Sequence, residues 1–258
     1  MRPAYFDRYP TVHFERDAQG ILLTRLHSKG GPVLYGSQHH SDWCSAFHDI
    51  GTDRDNQVVI LTGTGDAFIN QFAWDKPTDG PADWDVIHWE GKRVLRNLLD
   101  IEAPVIGAVN GPATIHAELA VLSDITLAAS TATFQDQPHI PAGTVPGDGA
   151  HIIWQELLGT NRGRYFLLTG QVLSAQQALD LGVVNEVLPP EQLLPRAYEL
   201  ARQLAALPPL TRRYTRVAVT QRLKRLFEEA LGYGLALEGL GAMDMMQRMA
   251  RASKEKSK

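Results

Sequence analysis

The sequence predicts an α/β fold: a largely parallel sheet followed by a helical C-terminal region. Two observations carry this. Short apolar runs alternate with longer amphipathic stretches up to about residue 190, and beyond that point strand-like runs disappear. Ile21–Leu26, Val58–Thr62, Val105–Val109 and Ile125–Ala129 are rich in Val, Ile and Leu and bounded by Gly, Pro, Asn or Asp, the pattern of strands buried on both faces. Between them, Trp84–Leu99 places Ile87, Val94, Leu95, Leu98 and Leu99 at helical spacing. Glu191–Leu207 and Thr211–Met249 favour helix, and Pro189-Pro190 marks the division. The expected organisation is a core over residues 1–190 and a helical region over 191–258 that covers the active site and serves assembly. Residues 250–258 read as a frayed, solvated tail.

Composition narrows the function classes. With 44% hydrophobic and 21% charged residues over 258 positions, the chain matches an ordinary globular protein rather than a disordered or fibrous one. Cys44 is the only cysteine, so neither an intrachain disulfide nor a cysteine zinc site is available. The formal charge of −4 argues against a dedicated nucleic-acid binder. Met1–Pro10 lacks the apolar stretch of a signal peptide, and no run approaches the ~18 apolar residues of a membrane helix. A cytoplasmic enzyme with no membrane or nucleic-acid partner is expected. The basic stretch Thr211–Arg225, with Arg212, Arg213, Arg216, Arg222, Lys224 and Arg225 and only Tyr214 as an aromatic, reads as a solvated helix face rather than an RNA patch.

Chemistry concentrates in two segments. Asn110-Gly-Pro-Ala-Thr-Ile-His116-Ala-Glu118 follows a predicted strand, where open α/β sheets place ligand sites. His116 occupies a tight junction that Gly or Ala would fill more easily. Phe134–His151 holds His139 and Asp148 nine residues apart among prolines and glycines, close enough for the carboxylate to orient the imidazole as a general base. A turn network without chemistry remains the alternative. His116, His139, Asp148 and His151 are also of the types that ligate zinc or iron, although no His-x-x-x-His pair falls on a predicted helix. Glu238 is the sole charge in Ala230–Met243, sharing a helix face with Leu231, Leu235 and Ala242, and is expected to be buried. His39-His40, following Tyr35, is ambiguous, since an exposed pair at a helix start is common. His13, His27, His48 and His88 form no constellation, and Thr62-Gly-Thr-Gly65 lacks the spacing of a phosphate-binding loop.

Several segments in order resemble the crotonase (enoyl-CoA hydratase/isomerase) superfamily: Val58–Phe68, Pro104–Ala113, Glu118-Leu with Ser123-Asp124, Gly143–Gly149, Arg162–Gly170 and Ala175–Val187. The resemblance spans about residues 12 to 245 and implies a spiral of ββα turns, assembled as trimers or dimers of trimers. Typical hydratases have Gly-Gly-Gly before the glutamate aligned with Glu118, where this chain has Thr114-Ile-His-Ala117. Their second catalytic glutamate follows a proline; here Pro138 precedes His139. Their thioester- and adenine-serving loop is replaced by Ile69–Asp75.

These differences resemble the β-diketone hydrolase branch, of the 6-oxocamphor hydrolase kind, which cleaves bicyclic 1,3-diketones by a retro-Claisen reaction without CoA. The resemblance carries that branch's histidines onto His116, His139 and His40, its aspartate onto Asp148 and its C-terminal glutamate onto Glu238. It places Tyr35, where the branch has Trp, and Trp89 against a small-molecule diketone, and implies no cofactor and no metal. An acyl-CoA hydratase or hydrolase using Glu118 is the competing enzyme, and an RNA-binding homologue the non-catalytic alternative.

Overall fold

The computed structural model describes residues 2–76 and 80–256. In chain order, the first half contains β1 (Val12–Arg16), β2 (Ile21–Leu26), β3 (Leu34–Tyr35), α1 (Ser37–Thr52), β4 (Val58–Thr62), β5 (Gln71–Phe72), α2 (Pro81–Asp100) and β6 (Val105–Val109). There follow α3 (Glu118–Val121), β7 (Ile125–Ala129), β8 (Thr133–Phe134), α4 (Ala150–Leu158), α5 (Thr160–Thr169), β9 (Leu173–Ser174), α6 (Ala175–Asp180), β10 (Glu186–Leu188), α7 (Pro190–Ala205) and α8 (Pro209–Lys256).

The main sheet runs β1-β2-β4-β6-β7-β10. Only β1 is antiparallel to its neighbour; the other pairings are parallel. Each core strand is followed by a short extended piece outside the sheet, and these pieces also pair. β3 pairs with β5, and bridges run from Ile69 to Ala113 and from Ala113 to Phe134. The result is a spiral of ββα turns whose loops open on one side.

The four apolar runs became β2, β4, β6 and β7 with the expected bounds, because both faces of the sheet are covered. On one face, Ile21, Leu23, Val58, Ile60 and Ile106 pack against Leu193, Ala197 and Ala201 of α7. On the other, Leu22, Val59, Leu61 and Val105 join Trp43, Phe47, Leu95 and Leu98 from α1 and α2. Successive side chains point to opposite faces, so a strand covered twice must be apolar throughout. No helix among the described residues is long and apolar enough to cross a membrane.

The C-terminal region departs from expectation in two ways. Residues 250–256 continue α8 rather than fray, since Ala, Arg, Lys and Glu are good helix formers and no breaker intervenes. Residues 257–258 lie outside the described residues. The basic stretch is not simply a solvated face either. Arg212 and Arg216 are buried, while Arg213, Arg222 and Lys224 pair with Glu102, Glu156 and Asp100. Arg216 Nε lies 2.6 Å from Asp124 Oδ2, and its Nη1 donates to the Leu99 carbonyl at 3.0 Å. This pin holds α8 to the end of α2 and the start of β7.

Replacing Arg216 with Met leaves Asp124 without its cation, and breaking a buried pair costs ~3–5 kcal/mol. Urea titration is expected to show a loss of that size. Arg213→Ala, which cuts a 3.6 Å contact, should cost about 0–1 kcal/mol.

Candidate active site

A cavity of about 480 Å³ opens where the loops after the sheet strands meet α8. That volume suits a small organic molecule. Its walls are aromatic and apolar: Tyr35, Phe72, Trp74 and Trp84 with Leu235 and Met246. Phe72 and Trp74 stack at 6.3 Å, so Ile69–Asp75 supplies a hydrophobic wall. Polar side chains converge at one part of the surface: His40, His116, His139, Asp148 and Glu238. Tyr35 lies in the cavity wall, its ring 4.4 Å from that of His116. Burial, followed by the charges of Asp148 and Glu118, raises its phenol well above the ordinary value and keeps it neutral.

His116 sits between the Ala113 bridge and α3 with φ of +47°, a left-handed conformation uncommon outside glycine. Two residues on, Glu118 begins α3, and its carboxylate forms a short hydrogen bond with His116 Nδ1. Asp148 Oδ2 lies 3.5 Å from the same nitrogen. Burial works against the His116 cation. The charge and hydrogen bond of Glu118 and the charge of Asp148 more than offset it, lifting the imidazole to about 9.

The expectation that Asp148 orients His139 needs correction. His139 Nδ1 is bound to Asp136 Oδ1 at 2.5 Å, three residues back in the chain. The backbone fixes this arrangement: the amides of Ala142, Gly143 and Thr144 all donate to the His139 carbonyl. Gln137 and Thr114 tie the preceding loop to the Ala113 bridge. Nε2 of His139 is therefore the nitrogen that faces Asp148 and Glu238, at 3.6 and 3.5 Å. Burial disfavours its cation. Asp148, Asp136 and Glu238 together override that and raise it well above the ordinary histidine value.

Asp148 is shared between the two imidazoles. Its Oδ1 accepts from the Ala150 amide at 3.3 Å, turning Oδ2 towards His116 and His139. Burial would raise its pKa, but the two imidazolium charges hold it below the ordinary aspartate value.

Glu238 arrives from α8, and glycine makes the approach possible. A Cβ on Gly147 would lie 2.1 Å from the Gly234 carbonyl oxygen, and one on Gly234 would lie 2.2 Å from the His151 ring. Leu231, Leu235 and Ala242 are buried beside Glu238 as the helical spacing predicts. The Glu238 side chain is 13% exposed, and its Oε2 is buried without a protein partner. Burial raises its carboxyl to about 7, with His139 opposing the shift and Asp148 adding to it.

His39 and His40, ambiguous in sequence, are both buried. The structure aims them apart. His39 accepts from the Gly36 amide and bonds Ser28 Oγ at 2.8 Å, away from the cavity, whereas His40 lines it. His40 Nδ1 bonds Glu90 Oε2 at 2.8 Å, and burial lowers its pKa despite that carboxylate. Trp89 does not line the cavity: it is half exposed, with the Arg93 guanidinium 3.7 Å from its ring centre. His151 lines no part of the cavity, and Gly234 packs against its ring.

Donor atoms of His116, Glu118 and Asp148 lie within 4.8 Å of one another, as do those of His139, Asp148 and Glu238. In the first set the His116 nitrogen is already committed to Glu118, and hydrogen bonding and charge pairing account for both sets. Asp136, Glu90 and Glu118 were not singled out for these positions from sequence. The Asp-x-x-His spacing of Asp136 and His139 was a usable signal, whereas Glu90 lies fifty residues from His40 and left none.

Residues 37–239 match the enoyl-CoA hydratase/isomerase family. The chain belongs to that family. Among curated members of this enoyl-CoA hydratase/isomerase family, a short-chain-enoyl-CoA hydratase of Clostridium acetobutylicum is 30% identical over 191 residues, covering 72% of each chain. A crotonyl-CoA hydratase of Syntrophomonas wolfei is 34% identical, covering 70% of this chain and 71% of its own. Among solved structures, a β-diketone hydrolase from Anabaena sp. PCC 7120 bound to (S)-3-oxocyclohexyl acetic acid superimposes with a TM-score of 0.93. It is 53% identical over 95% of this chain and 99% of its own. An enoyl-CoA hydratase/isomerase from Mycobacterium paratuberculosis, at 24% identity and TM-score 0.82, covers 91% of this chain and 94% of its own and shares the fold.

Within the enoyl-CoA hydratase/isomerase fold, the backbone at His116 suits glycine. His116→Gly and His116→Ala both remove the imidazole, but only alanine keeps the left-handed strain of about 1–2 kcal/mol. Denaturant unfolding is expected to rank the glycine variant more stable by roughly that amount.

Proposed function

We propose that this protein is a hydrolase that cleaves a carbon–carbon bond of cyclic or bicyclic 1,3-diketones to keto acids. The observation that carries this is His139. It is oriented by Asp136 and turns Nε2 towards Asp148 and Glu238 in the same aromatic-walled cavity as His116. The likeness to the Anabaena β-diketone hydrolase supports the reading, and the keto acid bound to that protein is the kind of product such a cleavage gives.

The chemistry follows from proton placement. His139 and Glu238 act as a coupled pair. With one proton in the pair, its transfer to Glu238 frees the Nε2 lone pair. Water bound between Nε2, Asp148 and Glu238 gives a proton to Nε2 as its oxygen bonds to one carbonyl carbon. Glu238 Oε2, buried without a protein partner, is suited to accept the other water hydrogen. The bond to the carbon between the ketones then breaks. Its electron pair is held as the enolate of the second ketone, and the His139 proton passes to that carbon. His116 donates to a carbonyl oxygen as negative charge develops. His40, neutral and giving its Nδ1 hydrogen to Glu90, presents a lone pair at Nε2 and so accepts rather than donates. A simple ketone would have to expel an unstabilised carbanion, which is why the 1,3 relationship is required.

Exposed apolar side chains on α5 and α8, among them Tyr165, Leu168, Tyr233 and Leu240, support assembly as a homotrimer or a dimer of trimers. The proposed enzyme is cytoplasmic and requires no cofactor, membrane or nucleic acid.

Incubation with a panel of 1,3-diketones is expected to yield one keto acid per diketone consumed, without CoA or added metal. Hydration of crotonyl-CoA with no diketone cleavage would favour the acyl-CoA alternative. The value of kcat/KM should fall below about pH 7, where the His139–Glu238 pair holds a second proton and Nε2 is blocked. It should fall again above about pH 9, where His116 loses its proton.

Asp136→Asn keeps the volume but offers N–H groups that favour the wrong His139 tautomer. Steady-state assays should show a loss in kcat on the order of 10²–10⁴.

A further inference from the structure

We infer that Glu118 is a positioning residue that fixes His116 as a hydrogen-bond donor to the substrate. The inference rests on the diketone-hydrolase reading for its consequence in catalysis, but its geometry stands alone. Glu118 occupies the place of a hydratase acid/base, yet its carboxylate points to His116 Nδ1. Only 4% of the side chain is exposed, and among the described residues His116 is the one side chain it hydrogen-bonds.

Below about pH 9 the His116–Glu118 pair holds two protons, and the outcome is the same wherever the one between Nδ1 and Glu118 resides. On nitrogen, His116 is an imidazolium with Nε2–H intact. On oxygen, Nδ1 accepts from the protonated carboxyl, and the neutral ring must carry its hydrogen on Nε2. Both forms present Nε2–H, and Nε2 makes no protein hydrogen bond among the described residues. His116 therefore donates and cannot serve as the base, which leaves that role to His139. The groups facing His116 are Glu118 of α3, Asp148 before α4, the His139 loop, Glu238 of α8, His40 of α1 and the Tyr35 ring. Only Glu118 is within hydrogen-bond distance of Nδ1.

The contact also explains how the left-handed residue is held. The His116 carbonyl accepts from the Leu119 amide while its side chain is tied to Glu118, so the first turn of α3 grips the residue at both ends.

The test compares Glu118→Leu and Glu118→Gln. Leucine fills the buried site without a polar group but removes one partner of a buried pair, so the variant is expected to lose stability, and its fold is checked by circular dichroism before assay. It leaves the His116 tautomer free. The expected result is a fall in kcat of about 10- to 100-fold with little change in KM. That is less than the ~10²–10³ of losing a donor outright. The alkaline limb of the rate profile should move to lower pH. Glutamine can donate to Nδ1 and hold the Nε2–H form, so Glu118→Gln should retain more activity than the leucine variant. It also serves if leucine prevents folding.

Nitrogen-15 NMR of the ring provides a readout that needs no substrate. Nε2 of His116 should be protonated at pH 7–8 in the wild type, and that signal should be lost at lower pH in Glu118→Leu. An unprotonated Nε2 in the wild type, or a folded leucine variant with wild-type kcat and pH profile, would overturn the inference. Should no diketone be turned over while the NMR behaviour is as expected, the proposed reaction fails and the role of Glu118 stands.

Discussion

Asp148 is the carboxylate around which the site is assembled. One of its oxygens is held by the Ala150 amide, and the other stands between Nδ1 of His116 and Nε2 of His139. Burying carboxylates costs several kcal/mol each unless a cation or donors compensate, so this anion and the two imidazoles are tolerated only together. The same rule accounts for Glu118, Asp136 and Glu90, each of which pairs with the Nδ1 of a cavity histidine. It also sets the demand on the backbone. Gly147 lets the loop carrying Asp148 touch α8 at Gly234, and one helical turn later Glu238 arrives beside His139. A larger residue at either glycine would separate the carboxylates from the imidazoles they balance.

The parts legible in sequence were those decided by local pattern. β2, β4, β6 and β7 are apolar because two layers cover them, and a run of Val, Ile and Leu bounded by turn residues records that directly. Glu238 could be expected in a buried setting because it is the one charge on an apolar helix face. What failed was partner choice. Asp148 and Asp136 both lie near His139 in sequence, and spacing alone does not say which ring nitrogen each meets. A turn that folds residues 139–144 back on the His139 carbonyl decided it. His39 and His40 looked alike as neighbours, yet the helix turns them to different surroundings, one towards Ser28 and the other towards the cavity. The basic stretch of α8 misled for the converse reason. Its acidic partners, Asp124 and Glu156 among them, are 66 or more residues away in sequence.

His116 shows the local rules being overridden at the functional position. A left-handed backbone at the junction between the Ala113 bridge and α3 favours glycine, yet the sequence here is Thr114-Ile-His-Ala117. Placing histidine there costs stability but brings a titratable ring into the cavity wall between β6 and α3. Strain of this kind persists where surrounding structure over-determines the conformation. Here the Ile69–Ala113 bridge, the Leu119 amide and Glu118 do so.

A comparison of donor types connects the family scaffold to the chemistry proposed. Two glutamates at the positions of Glu118 and His139 would offer two carboxyl groups to a substrate. Exchanging one for histidine changes the number of protons the site can hold and the sign of the charge it can place beside a carbonyl. With Glu118 turned onto His116, the cavity presents a donor on one side. With Asp136 turned onto Nδ1 of His139, it is Nε2 that faces the cavity on the other, and in the proposed reaction it accepts the water proton once Glu238 holds the proton of the pair. Aromatic side chains of Tyr35, Phe72 and Trp74 line the same cavity, so part of its wall is apolar. A 1,3-diketone needs both in a single step: a base for the attacking water and a donor for the oxygen on which charge collects. The remaining requirement, a stabilised leaving carbon, is met by the substrate's own second ketone, so the protein has to supply no further electron sink.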